Sequence, residues 1–185
     1  MQAKIVLVGG GARSGKSRFA MDYARTLGEQ RLFVATAQAF DAEMGERIAR
    51  HREERGQAFT TVEEPVQLAR VMREATAMDV VLVDCLTLWL SNLLLQGRSP
   101  DDIERDLDEV VTVLRLRRHH VVLVSNEVGL GIVPENALGR AFRDIAGRTH
   151  QRLVAEADEV YLAAMGLLLR LIPAPVKAFR PGELP

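Results

Sequence analysis

The stretch Lys4–Ser17, KIVLVGGGARSGKS, decides the fold of this chain. It begins with a short apolar run rich in β-branched residues, which is typical of a strand buried on both faces. The glycines that follow permit a tight turn, and residues 16–27 then repeat apolar side chains at helical spacing. A buried strand that turns sharply into a helix is the first unit of an alternating α/β sheet.

The alternation continues through most of the chain. The apolar runs predict further strands, at 32–35, 59–62, 80–83, 121–124, 160–163 and 167–171. Helical spacing predicts helices at 41–55, 66–77, 86–95 and 135–157, and one that begins after Ser99. That last helix starts Ser-Pro-Asp-Asp, with an N-cap, a proline in the first turn and acids on the helix dipole.

This pattern predicts an α/β, P-loop NTPase-like fold with a mostly parallel sheet flanked by helices on both faces. The chain contains neither an internal repeat nor a linker-like segment. We therefore expect a single P-loop domain over residues 1–172. Residues 173–185 are rich in proline and predict a loose C-terminal tail.

Composition limits the classes of function. The 185 residues are 48% hydrophobic and carry a net charge of -1, which favours a globular domain without bulk attraction to nucleic acid or membrane. The single cysteine, Cys85, excludes an intramolecular disulfide. The first residues are too short for a signal peptide, and the apolar run 86–95 is too short to span a bilayer. We expect a cytoplasmic protein.

Residues 10–17 match G-x-x-x-x-G-K-[ST], the phosphate loop that follows a strand and opens a helix. The eight residues are Gly10, Gly11, Ala12, Arg13, Ser14, Gly15, Lys16 and Ser17. Backbone N–H groups and the helix N-terminus favour phosphate oxygens there. We expect Lys16 to contact the β and γ phosphates and Ser17 to ligate Mg²⁺.

Asp84 ends the apolar run VVLVD. A carboxylate at the end of a central strand is placed to act near the same Mg²⁺, although an aspartate that simply closes a strand is an alternative. A regulatory GTP switch is disfavoured, because the chain has no N-K-x-D. Its D-x-x-G match, Asp144–Gly147, falls within a predicted helix.

Four longer segments are more specific: GGARSGKSRFA, VATAQAFDAEMGERIARHR, SNEVGLGIVPEN and RAFRDIAGRTHQRLVAEADEVYL. Together they resemble the bifunctional adenosylcobinamide kinase/adenosylcobinamide-phosphate guanylyltransferase family of cobalamin biosynthesis. The resemblance runs from Lys4 to about Leu162. It implies phosphorylation of adenosylcobinamide with ATP or GTP, then transfer of GMP from GTP to that phosphate with release of pyrophosphate. It also implies a homotrimer.

The resemblance further implies that GMP is carried on a histidine, which here matches His51. A neutral imidazole is a suitable nucleophile near neutral pH, and the basic neighbours Arg47, Arg50, Arg52 and Arg55 are placed to neutralise phosphate charge. On spacing alone, His51 is better interpreted as a packed, partly buried histidine, because it shares a helical face with Met44 and Ile48.

Other positions match nucleotide-contacting residues of the family. They are Thr36, Ala37, Gln38, Arg52, Glu53, Glu54, Arg55, Glu63 and Asp84. His150 stands where the family pattern has asparagine, and its role stays open. His119 and His120 are expected on the surface. Trp89 is expected in the core or at a subunit contact, with a contact to the corrin ring as an alternative.

Glu127 follows the strand predicted at 121–124, where open α/β sheets gather ligands. It is a candidate for orienting the acceptor hydroxyl or a metal-bound water, although a loop that only packs is an alternative. Two other functions remain compatible with the chain as a whole. They are a P-loop small-molecule kinase without guanylyl transfer, and a nucleotide-dependent regulatory protein.

Overall fold

A computed structural model describes residues 2–38 and 56–179 of the chain. The strands are β1 (Ile5–Gly10), β2 (Arg31–Ala35), β3 (Thr60–Glu63), β4 (Val80–Asp84), β5 (His120–Asn126), β6 (Glu159–Ala164), β7 (Leu167–Ile172) and β8 (Lys177–Phe179). The helices are α1 (Lys16–Leu27), α2 (Leu68–Glu74), α3 (Leu86–Leu95), α4 (Pro100–Arg115) and α5 (Ala137–Val154). The helix predicted at 41–55 lies outside the described residues.

The strands form one sheet in the order β3-β2-β4-β5-β1-β6-β7-β8. The six strands from β3 to β6 in this order pair in parallel, and β7 and β8 continue the sheet antiparallel. Strand β7 follows β6 through the turn Met165–Gly166, where both residues have positive φ, as a tight hairpin requires. The predicted mostly parallel sheet is confirmed.

Helices cover both faces of the sheet, as the sequence predicts. Helix α1 packs on one face, against alternate strand residues such as Val8, Leu82 and Val124. Helices α2, α3, α4 and α5 pack on the other face, against residues such as Leu7 and Val83. Trp89, on α3, is buried in this second layer, and its indole N–H donates to the carbonyl of Val66 at 2.7 Å. Within the described chain, Trp89 is therefore a core residue.

Capping groups set several helix boundaries. The start predicted after Ser99 is confirmed, because Ser99 accepts from the Asp102 N–H and Asp102 accepts from the Ser99 N–H. Helix α2 begins later than predicted. The Glu64 carboxylate accepts hydrogen bonds from the N–H groups of Val66 and Gln67, which holds these residues in a turn before the helix. Asn136 caps α5 by accepting from the Gly139 N–H.

The sheet extends into the segment expected to be a loose tail. Lys177–Phe179 form β8, which pairs with β7 through Arg170 and Leu168. An edge strand this short gives little sequence signal, and the surrounding prolines conceal it. The division into a domain over 1–172 and a tail stays a prediction. Among the described residues, no helix combines the length and apolarity needed to cross a membrane.

The expectation for His119 is wrong, since this side chain is buried just before β5. Burial lowers the pKa of His119, with a smaller contribution from neighbouring Arg118 and His120, and its Nδ1 has no hydrogen-bond partner within residues 2–38 and 56–179. His120 begins β5, and its Nδ1 accepts from the Lys4 N–H at 2.9 Å. Both rings are structural groups at the amino end of the sheet.

We expect His119 to make the protein less stable in mild acid. The folded pKa lies below the unfolded one, so the unfolded chain binds more protons as pH falls below the ordinary histidine value. The free energy of unfolding is then highest above that value and falls as pH drops. Denaturant titrations at pH 7 and pH 5 should show that the free energy of unfolding falls more between these two pH values in wild type than in His119→Gln. An equal fall in unfolding free energy in both proteins would contradict this account.

Candidate active site

The phosphate loop begins at a close approach between two strands. Gly10 is the last residue of β1, and it pairs with Asn126 of β5 on one side and Ala163 of β6 on the other. Its φ is +152°, and a Cβ there would lie 2.5 Å from the Ala163 carbonyl oxygen and 2.8 Å from the Ser14 Oγ. Only glycine fits this position, so the first glycine of the motif is fixed by the sheet itself.

The N-terminus of α1 is open to an anion. Gly15 precedes the helix with φ of 93° and provides no side-chain cap, so the first-turn N–H groups have no intrahelical partner. The Ser14 hydroxyl is buried and has no hydrogen-bond partner among the described residues. Residues 11–13 are exposed in front of it. A buried unpartnered hydroxyl beside a free helix N-terminus fits a bound phosphate oxygen.

Lys16 is held over this loop. Its side chain is buried, and Nζ donates to the Gly11 carbonyl at 3.0 Å. Burial raises the pKa of the Cys85 thiol; the Asp84 carboxylate adds to that rise and the Lys16 ammonium opposes it. Lys16 and Asp84 therefore both act on one buried thiol, which places them at the same part of the sheet edge.

Oxygen donors near the loop suit Mg²⁺. Ser17 lies in the first turn of α1 and Asp84 at the end of β4, two strands from β1. Mg²⁺ typically takes one or two protein oxygens and fills its remaining positions with phosphate and water. No cluster of three or more His, Cys, Asp or Glu side chains suited to a metal occurs in the described part of the chain. The donor set fits an ion held jointly with a nucleotide.

Thr36 joins two strand ends. Its side chain is fully buried; the hydroxyl donates to the Cys85 carbonyl at 2.7 Å and accepts from the Cys85 N–H at 2.8 Å. The Asn92 amide donates to the Thr36 carbonyl at 2.8 Å. These bonds account for the hydroxyl of Thr36, so its nucleotide contact stays a prediction while its role in tying β2 to β4 is visible. Ala37 and Gln38 follow it, half-buried.

The strand pairing separates two of the predicted acids. Asp84 lies two strands from β1, whereas Glu63 is exposed at the end of β3, four strands away. At about 4.8 Å between strands, Glu63 is roughly 19 Å from the phosphate loop in the plane of the sheet. Glu63 is thus too far to contact phosphates bound at that loop. His51 and Arg52–Arg55 lie outside the described residues.

One cluster at this edge was not identified from sequence. His150, on α5, meets Ser125 at the end of β5, with Nε2 and Oγ 2.6 Å apart, and its Nδ1 lies 3.7 Å from the Glu127 carboxylate. Beside it, the Asn126 amide donates to the Thr87 hydroxyl at 2.9 Å. Local periodicity does not indicate which residue of α5 faces the end of β5. The sequence signal at this position is that His150 stands where the family pattern has asparagine.

Comparison with known proteins identifies a family. Residues 6–171 match the model described as cobinamide kinase / cobinamide phosphate guanyltransferase. The chain is 44% identical over 172 residues to the bifunctional adenosylcobalamin biosynthesis protein CobP of Pseudomonas aeruginosa, covering 92% of this chain and 96% of that protein. It is 41% identical over 182 residues to CobU of Salmonella typhimurium, covering 90% of this chain and 99% of that protein.

Solved structures support the fold alone. The flagellar accessory protein FlaH from Methanocaldococcus jannaschii superposes with a TM-score of 0.54 and 13% identity, over 97% of this chain and 85% of that chain. The RadB recombinase superposes with a TM-score of 0.53 and 16% identity, over 97% of this chain and 87% of that chain. Both match the predicted P-loop NTPase-like architecture.

Replacing Gly10 should damage the loop through a defined clash. Gly10→Ala places a methyl group against the Ala163 carbonyl and forces an unfavourable φ, so we expect a loss of roughly 1–3 kcal/mol in unfolding free energy. ATP binding, measured by calorimetry, should weaken at least about tenfold, since the loop cannot keep its path.

Gly11→Ala is the matched comparison for stability. Nothing lies within 4 Å of a Cβ at Gly11, so its unfolding free energy should stay within about 0.5 kcal/mol of wild type. Equal stability of the two variants would show that the approach between β1 and β6 does not constrain Gly10.

Proposed function

Because this chain belongs to the cobinamide kinase / cobinamide phosphate guanyltransferase family, we propose that it performs both reactions on nucleotides held at the carboxyl edge of its sheet. The acceptors in this proposal are adenosylcobinamide and then its phosphate, and the donors are ATP or GTP for the first step and GTP for the second. The observation that carries the proposal is the complete phosphate loop at that edge, in a chain that matches the family almost throughout.

In the first step, the aminopropanol hydroxyl of adenosylcobinamide attacks the γ phosphorus of the triphosphate. Lys16 and the N–H groups at the start of α1 stabilise the charge on the transferred group and on the leaving diphosphate. In this proposal Ser17 and Asp84 hold Mg²⁺, which when bound would neutralise phosphate charge. The Asp84 carboxylate and the Lys16 ammonium shift the pKa of the Cys85 thiol in opposite directions.

In the second step, we assign the nucleophile to His51. A neutral ring nitrogen attacks the α phosphorus of GTP, an N–P bond forms and pyrophosphate leaves. The phosphate of adenosylcobinamide phosphate then attacks the same phosphorus, which releases the histidine and forms the diphosphate of adenosylcobinamide-GDP. This assignment rests on the match of residues 34–52 to the family pattern.

Arg52, Glu53, Glu54 and Arg55 directly follow the nucleophile and belong to the same proposal as GTP contacts. Glu63, with its distance from the phosphate loop, fits a contact to a part of a nucleotide remote from those phosphates. A homotrimer and a cytoplasmic location complete the proposal. The trimer rests on the resemblance, and the location rests on composition.

We expect His51→Ala to abolish covalent labelling by GTP. Wild type incubated with GTP labelled at the α phosphorus and Mg²⁺ should retain an adduct that is labile in acid and stable in base, as a phosphoramidate is. His120→Asn is the matched control, because His120 lies at the amino end of β5, away from the phosphate loop, and asparagine preserves an acceptor for the Lys4 N–H.

The control should label like wild type. Retention of label by His51→Ala, or absence of label from wild type that releases pyrophosphate, would contradict the assignment of the guanylyl-transfer step to His51. Either result would leave the kinase step to be judged separately by phosphorylation of adenosylcobinamide.

A further inference from the structure

The two steps above assign no role to one carboxylate, which belongs to a residue next to the start of the phosphate loop. Glu127 is the first residue after β5, and its backbone N–H donates to the carbonyl of Gly10, the first residue of the loop, at 3.0 Å. Its side chain is 28% exposed, so it is accessible at the carboxyl edge of the sheet. Ligands bind outside this edge in open α/β folds.

The carboxylate has a polar neighbour on each of two sides. One oxygen, Oε1, accepts from the Gly129 N–H, and a Cβ at Gly129 would lie 2.8 Å from that oxygen. Glycine at position 129 therefore permits the close approach. The other oxygen, Oε2, lies 3.7 Å from Nδ1 of His150. This distance is beyond a hydrogen bond, as catalytic contacts often are before substrate binds.

His150 is itself fixed by the sheet. The Ser125 side chain is fully buried, and its Oγ lies 2.6 Å from Nε2 of His150. When the Ser125 hydroxyl donates to Nε2, the ring carries its proton on Nδ1, directed at Glu127. Burial lowers the pKa of His150, an effect that the Glu127 carboxylate partly opposes, so the ring is neutral near pH 7. A neutral ring orients the carboxylate without cancelling its charge.

We propose that Glu127 accepts the proton of the acceptor hydroxyl in the kinase step, and that His150, held by Ser125, positions the Glu127 carboxylate for that transfer. The inference rests on the proposed function. The hydroxyl oxygen forms a bond to the γ phosphorus, and the bond from that phosphorus to the β-phosphate oxygen breaks with its electron pair on the diphosphate. The hydroxyl proton passes to Glu127, from which it is lost to water.

Asp84 and Glu63, the other two acids considered at this edge of the sheet, are less suited to accept the hydroxyl proton. Asp84 ends β4, and the proposed function already gives its carboxylate a role beside Mg²⁺. Glu63 lies roughly 19 Å from the loop at the strand spacing used above. Glu127 is joined to the loop by the hydrogen bond from its backbone N–H to the Gly10 carbonyl.

The two reactions separate this role from nucleotide binding. A hydroxyl has a proton to lose, whereas the phosphate that accepts GMP already carries negative charge and needs no base. Glu127→Gln should therefore lower kcat for phosphorylation of adenosylcobinamide by about 100-fold or more, the usual contribution of a general base. Guanylyl transfer from GTP to adenosylcobinamide phosphate should stay within about threefold of wild type, since no proton is removed there.

The matched control is Glu135→Gln. Glu135 is an exposed carboxylate in the same loop, before α5, and its replacement should leave both reactions within about threefold of wild type. Equal loss of both reactions in Glu127→Gln would overturn the inference, because it would point to a damaged nucleotide site. Retention of kinase kcat within about threefold would also overturn it. Lack of both activities in wild type would instead refute the proposed function.

The positioning role of His150 is tested by two substitutions. His150→Ala should reduce kinase kcat about tenfold with little change in KM for adenosylcobinamide, because the base is misdirected while the acceptor still binds. His150→Asn keeps a donor and an acceptor and should recover most of that loss. Unchanged kcat in His150→Ala, or equal loss in both variants, would contradict the positioning role.

Discussion

The approach of β6 to β1 at Gly10 is the constraint on which the site depends. The backbone of the first loop residue lies so close to the Ala163 carbonyl that no side chain fits between them. The loop is thereby forced to turn at the end of β1 and deliver Gly15 to the start of α1. That turn leaves the helix N-terminus open, places Lys16 over the loop and sets the Glu127 N–H against the Gly10 carbonyl. The predicted phosphate site and the packing of the sheet therefore depend on the same backbone path.

Short polar links hold the neighbouring strand ends in place beside this turn. Thr36 joins β2 to β4, and Asn126 joins β5 to Thr87 at the start of α3. Ser125 anchors His150 from the opposite layer. Each link satisfies buried polar groups, which would otherwise oppose folding, and each fixes the end of a strand that carries a candidate site residue. The edge is consequently preorganised before any ligand binds, which is what transfer of a charged phosphoryl group requires.

Features that depend on residues close together in the chain could be predicted from the sequence. The strand–loop–helix unit and the helix start at Ser99 depend on neighbours in the chain, and the structure confirms them. Trp89, expected in the core or at a subunit contact, is buried in the core. Features that depend on which strands become neighbours were missed or left open. The strand at 177–179 exists only because β7 offers an edge, and His119 is buried by packing that its sequence neighbours do not indicate. The separation of Glu63 from the loop follows from the strand order, and the meeting of His150 with Glu127 from the face that α5 presents.

In the proposed function the loop at the end of β1 holds the triphosphate through Lys16, so nucleotide binding should depend on this side chain. Binding by Lys16→Ala measures that dependence. Arg18 is the matched control, since it is a cation in the same turn of α1 whose side chain is 89% exposed. Calorimetric titration with ATP and GTP should show affinity about 10- to 100-fold weaker for Lys16→Ala, the scale of a lost charged hydrogen bond, and little change for Arg18→Ala. Binding by Lys16→Ala with wild-type affinity for both nucleotides would contradict the account.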